Sequence, residues 1–97
     1  MKAVFITYNQ AHTEVIQVIL DKENIRGFTR WEKVQGRGTS TGEPHYGTHA
    51  WPAENTSTLV IIEDDRVAPL LKRLKRLDEK AEQQGLRAFV WNIEDGI

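Results

Sequence analysis

His45 and His49 lie four residues apart around Tyr46-Gly47-Thr48, with Glu43 just upstream and His12 far back in the chain. Imidazoles at that spacing suit one metal ion when a helix carries them. Together with a carboxylate they could recruit a divalent metal such as zinc, copper or nickel. They sit in glycine- and proline-bearing text without an HExxH pattern, so the plainer reading of each is a hydrogen-bonded or solvent-facing histidine. Just before them runs Gly36-Arg37-Gly38-Thr39-Ser40-Thr41-Gly42. Consecutive backbone N–H groups in such a run can form an anion-binding concavity, and Arg37 can pair with a phosphate. No Gly-Lys-Ser/Thr follows and no helix starts there, so this is not a P-loop, and a hinge without a ligand fits the same composition. Tyr46 and Trp51 are large rings in polar text; they can anchor a partner or staple the loop to the body. Ser40 and Ser57 have no nucleophile elbow, and the pairs Asp64-Asp65 and Glu94-Asp95 read as a helix cap and a solvated strand end. The chain is read as a binding protein, not an enzyme.

Most of these residues fall between Gln35 and Thr56, a stretch of 22 residues holding four of the seven glycines and two of the three prolines. No helical or alternating apolar period runs through it. Connections beyond about 12–15 residues without secondary structure are usually functional or disordered, and binding is the reading adopted here.

At 97 residues the chain is expected to form one domain, 1–97. A net charge of −1 argues against a nucleic-acid partner, which needs a basic face. Arg87-Ala88-Phe89-Val90-Trp91 superficially resembles an RNA-binding strand motif, but that motif belongs on a third strand in basic surroundings. The absence of cysteine excludes disulfides and thiolate metal sites and fits the cytoplasm. No apolar run has signal-peptide or membrane-span length, so no membrane insertion is expected.

The elements that must position the loop follow from periodicity. Lys2 to Tyr8 reads as a buried central strand, and Ala11 to Ile25 as a helix with Val15, Ile16, Ile19 and Leu20 inward. Asn9 or Thr13 would cap its start, and Gly27 would take the left-handed position after its end. Phe28 to Val34 alternates, placing Phe28, Arg30, Glu32 and Val34 opposite Thr29, Trp31 and Lys33. Ser57 to Glu63 reads as a second central strand, and Asp64 or Asp65 as the next N-cap. Val67, Leu70, Leu71, Leu74, Leu77 and Ala81 make a helical stripe, with Lys72, Arg73, Lys75 and Arg76 on a solvated face. Gly85 ends that helix and Leu86 to Ile93 is the last strand.

The order β-α-β-β-α-β predicts an α+β, ferredoxin-like fold: a four-stranded antiparallel sheet with both helices on one face. The other face would carry Phe5, Trp31, Phe89 and Trp91. Large exposed apolar patches are rare on monomers, so that face is expected to be covered in a homo-oligomer. The competing reading turns all four rings toward the helices.

Gly27-Phe28-Thr29 followed by Val34-Gln35-Gly36-Arg37-Gly38, and Ala88-Phe89-Val90 followed by Ile93-Glu94-Asp95, resemble the second strand, loop entry and last strand of the PII (nitrogen regulatory P-II) signalling family. Gly47-Thr48-His49-Ala50-Trp51-Pro52, with Asn55 after it, is similar to a branch of short PII-like proteins. The resemblance implies a homotrimer, adenine-nucleotide effectors between subunits, and a T-loop that docks onto a membrane transporter or an enzyme. It points to Gly36, Arg37, Gly38, Thr39 and Arg87 as ligand-binding residues, with Tyr46, His49 and Trp51 as the partner-binding surface of the loop. The family's phosphate-binding segment Thr-Gly-x-x-Gly-Asp-Gly-Lys is replaced by Glu82-Gln83-Gln84-Gly85-Leu86-Arg87, in which only Arg87 keeps a cation. The family's uridylylation motif is absent around Tyr46. The second reading is a metal-binding protein like the fold-related CutA divalent-cation-tolerance family, using His45 and His49. A third is an adaptor whose loop binds a protein and senses nothing.

Overall fold

The structure is a computed structural model that describes residues 1–37, 42–81 and 85–97. Its elements are β1 (Lys2–Asn9), α1 (Thr13–Lys22), β2 (Thr29–Val34), β3 (Asn55–Ile62), α2 (Val67–Lys80) and β4 (Arg87–Asn92), with a 3-10 turn leading into each helix. All strand pairs are antiparallel, in the order β2-β3-β1-β4, so the two most apolar strands are central as expected.

Alternation along β1 and β3 splits the sheet into two faces. Val4, Ile6, Tyr8, Val60 and Ile62 point to the helices and join Ile16, Ile19, Leu20, Leu70 and Leu74 in one buried cluster. Burying a Leu or Ile side chain of this kind contributes roughly 1.5–3 kcal/mol. The layer also holds polar groups that pair with one another. Tyr8 Oη shares a 2.8 Å hydrogen bond with Thr58 Oγ1. Arg30 reaches in from β2, donating to Gln17 Oε1 on α1 at 2.8 Å.

Phe5 stands between Leu59 and Phe89, and Ala3 between Ile61 and Trp91, on the face turned away from the helices. Trp31, opposite Ser57, shares that face. Phe89, Trp91 and Trp31 are 58%, 49% and 45% exposed, so the rings do not turn toward the helices.

Several boundaries differ from the sequence reading, for identifiable reasons. Asn9 caps the first 3-10 turn by accepting from Ala11 N–H at 2.9 Å, while Thr13 Oγ1 donates back to the Gln10 carbonyl at 2.7 Å. The left-handed residue after α1 is Asn24, with φ 55°, not Gly27. Ile25 N–H reaches the Leu20 carbonyl at 2.9 Å and Asn24 N–H the Asp21 carbonyl at 3.0 Å, the paired bonds of a Schellman end. Asn tolerates this conformation, and Ile25 closes the motif by burying its side chain.

At the second helix neither Asp64 nor Asp65 is the N-cap; Glu63 holds that place before the 3-10 turn, without a side-chain bond. Asp64 instead meets the Met1 amine at 2.9 Å. That hydrogen bond holds its carboxyl below the usual 3.8. Within the basic group, Lys72, Lys75 and Arg76 are exposed. Arg73 is not; it is half-buried and donates to Glu23 Oε2 at 2.8 Å.

Candidate functional site

The root of the loop is shaped by an irregular edge. Trp31 pairs with Ser57 but Val34 pairs with Asn55, so β2 spends one residue more than β3 between the two pairs. That is a β-bulge, and Lys33 within it takes φ 56°. A left-handed conformation costs a non-glycine residue about 1–2 kcal/mol. The extra residue also reverses the alternation expected for Phe28 to Val34. Val34 lies on the face of Trp31, not opposite it, because directly opposed residues share a face and Asn55 shares one with Ser57.

The stretch 35–56 is therefore not free of regular structure. Asn55 and Thr56 belong to β3. Gly36 and His45 exchange two backbone bonds, 3.0 Å from the Gly36 N–H and 2.7 Å from the His45 N–H. Tyr46 bridges to Glu54, so the chain at 45–46 lies between the outgoing Gly36 and the returning Glu54. Gly47 turns the chain at φ 66° and donates to the Ala53 carbonyl at 2.8 Å. Thr48 N–H then reaches the Trp51 carbonyl at 2.9 Å, and Trp51 N–H reaches Thr48 Oγ1 at 3.1 Å.

Asn55 is the residue the sequence reading missed. Its Oδ1 lies 2.7 Å from His45 Nδ1, and a Cβ at Gly36 would overlap its side-chain amide. Gly36, His45 and Asn55 thus form a clasp in which the Asn55 amide fills the space a Cβ at position 36 would take. The one signal for it was Asn55's place in the loop text that resembles the short PII-like branch. His45 is 8% exposed and its Nδ1 is taken up by the clasp, whereas His49 is exposed on the outer loop. Among the described residues no three His, Asp or Glu side chains come together as a metal-holding group.

Arg37 is exposed and its Nε donates to the Gly42 carbonyl at 2.7 Å. Gly38 and Thr39, also expected to bind ligand, lie outside the described residues. Tyr46 and Trp51 are exposed on the loop. Arg87 opens β4, where Nη1 donates to the Leu86 carbonyl at 2.6 Å and stands 3.9 Å from Asp78 Oδ1.

Arg87 is opposite Thr7 on β1, and Asn9, two residues on, is opposite Asn55, which is opposite Val34. The loop root and Arg87 therefore share one end of the sheet but sit at its two edges. Three strand spacings of about 4.8 Å put them roughly 14 Å apart.

Two hollows flank this end. A cleft of about 530 Å³ between the start of α1, the bulge and the loop's return is lined by Glu14, Glu32 and Glu54 against Lys33. Three carboxylates facing one ammonium disfavour an anion there. A groove of about 270 Å³ runs between α2 and the start of β4, and Arg87 is among the residues that line it.

No family model matches the sequence, and no curated protein matches it significantly. Solved structures do. CPII from Thiomonas intermedia K12, a nitrogen regulatory PII-like protein bound to ADP, AMP and bicarbonate, superposes with a TM-score of 0.77 at 22% identity over 95% of this chain and 84% of its own. Its complex with ADP and bicarbonate gives 0.76 at 24% identity, again over 95% and 84%. A protein assigned as PII-like and signalling, from Thermus thermophilus, gives 0.67 at 18% identity over 95% and 85%. The chain has the α+β, ferredoxin-like fold of the nitrogen regulatory PII-like proteins.

Proposed function

We propose that this protein is a PII-like regulator: a single-domain homotrimer in the cytoplasm that binds a small effector between copies and acts through its loop on a membrane transporter or an enzyme. The observation that carries this reading is the placement of the two candidate cations. Arg37 and Arg87 lie at one end of the sheet but at opposite edges, too far apart for one small ligand within a copy. Copies packed side by side would bring the β2 edge of one to the β4 edge of the next and join the half-sites. The exposed rings Trp31, Phe89 and Trp91 supply an apolar surface for that packing.

The effector in this reading is an adenine nucleotide, alone or with a small anion. Support comes from CPII, whose structures hold ADP, AMP and bicarbonate, and from the two arginines, which suit phosphate. Without the family's glycine-rich phosphate segment, Arg37 and Arg87 carry most of that charge neutralisation. Gly36, Gly38 and Thr39 form the backbone side of the same half-site. Tyr46, His49 and Trp51, on the outer loop, are the surface offered to the regulated partner, and effector binding alters the order of that loop.

The test combines sedimentation with calorimetry against ADP, AMP and bicarbonate, on the wild type and Trp91→Glu. Wild type sediments as a trimer and binds nucleotide. The variant keeps its circular dichroism spectrum, sediments as a single copy and loses binding. A wild-type monomer, a trimer that binds no nucleotide, or a monomeric variant that binds unchanged would each overturn the reading.

A further inference from the structure

The cleft of about 530 Å³ at the loop's return carries charge that this chain leaves unbalanced. Its volume falls within the roughly 300–1,000 Å³ of small-molecule sites. Glu14 comes from the first turn of α1, Glu54 from the returning loop, and Glu32 and Lys33 from the bulge. Neighbouring residues of a regular strand point to opposite faces, and the extra residue in β2 lets Glu32 and Lys33 line the same cleft. Three carboxylates against one ammonium leave two negative charges over. Among the described residues, these carboxylates make no ion pair and accept no hydrogen bond. No three acidic or histidine side chains among them converge as a single metal ion would require. Thr56 reaches the same space from below. It is 2% exposed, stands opposite Tyr8 on the helix side of β3, and lines the cleft. Its Oγ1 has no hydrogen-bond partner among the described residues. A buried hydroxyl left unpaired costs free energy that a ligand N–H would recover.

We propose that this cleft binds a short aliphatic diamine. As a dication the diamine balances the two charges left over, and its separated ammonium groups reach carboxylates that no point ion can join. One ammonium donates to Thr56 Oγ1, and the methylene chain lies along Ala11 at the start of α1. Charge-assisted hydrogen bonds of this kind are the strong ones. Diamine and nucleotide occupy different places, so this site stands apart from the nucleotide reading above.

The experiment is calorimetric titration of the intact protein, without nucleotide and at low ionic strength, with 1,4-diaminobutane, butylamine and magnesium chloride. Butylamine has the same chain with one charge, and magnesium has the same charge at one point. Diaminobutane binds about tenfold or more tightly than either, the worth of a hydrogen bond to a second charged group. Glu32→Gln and Glu54→Gln each weaken diaminobutane by about two- to fivefold. Thr56→Val keeps the side-chain shape and suits a strand, and it weakens diaminobutane by about two- to tenfold. Glu79→Gln, exposed on α2, leaves binding unchanged. Circular dichroism verifies that each variant is folded. Absence of diaminobutane binding, butylamine or magnesium binding as tightly, or unchanged affinity in the Glu32 and Glu54 variants would each overturn the site. All of these outcomes leave nucleotide binding at Arg37 and Arg87 standing.

Discussion

β2 and β4 are the two outer strands of one sheet, and they treat their free backbone in opposite ways. β2 is interrupted: its register slips between Trp31 and Val34, Lys33 is left-handed, and Glu32 and Lys33 face solvent. Bulges and charges of this kind block strand addition at an edge. β4 pairs with β1 without a break from Asn92 to Arg87 and exposes Phe89 and Trp91. It has neither bulge nor proline. One edge is distorted to launch and clasp a loop; the other stays straight and apolar, as an edge meant to be covered would. The difference teaches that the loop's shape begins inside the sheet, at the bulge, before the first loop glycine.

Breaking the clasp tests this most severely. Gly36→Ala forces a methyl into the Asn55 amide, and overpacking of this kind costs about 1–3 kcal/mol. Urea denaturation should register it. Gly27→Ala is the control, because nothing lies within 4 Å of a Cβ there, and it should stay within about 0.5 kcal/mol of wild type. Equal effects at the two glycines would mean that the clasp does not hold the root.

The bulge itself gives a smaller signal of opposite sign. Lys33→Gly removes the left-handed penalty at φ 56° and should stabilise by up to about 1 kcal/mol in thermal denaturation. A loss of stability would place the value of Lys33 in its side chain, not in the bulge.

The smallest effect belongs to neither edge. Asp64, paired with the Met1 amine, has its carboxyl lowered from 3.8. A depressed carboxylate adds stability above its unfolded value, and that stability fades as pH falls from 3.8 through the lower folded value. Asp64→Asn should lower neutral-pH stability slightly and flatten the acid limb to match, with no change below the folded value. An acid limb identical to wild type would show that the exposed pair contributes nothing measurable.

Much of the fold was legible because it rests on local period. The stripe from Val67 to Leu77, the apolar runs of β1 and β3, and the ring residues of the open face all fall where alternation or helical spacing puts them. What was not legible is where the period breaks. Strict alternation placed Val34 opposite Trp31, and one extra residue in β2 undid it. Gly27 looked like the left-handed cap, but Asn24 can adopt that conformation and lies where Ile25 can bury itself. His45 and His49 looked like a pair because they are four apart, yet one is clasped by Asn55 and the other faces solvent.

The sequence by itself determined the element order, the two faces of the sheet and the location of the long loop, since each depends on side-chain chemistry repeated over a few residues. Only the tertiary structure decided that Asn55 closes the root, that Arg37 and Arg87 belong to opposite edges, and that Asp78 Oδ1 has no donor among the described residues. Those relations join residues that are far apart in the chain, or turn on which groups a neighbouring strand leaves unpaired, and no local pattern encodes either.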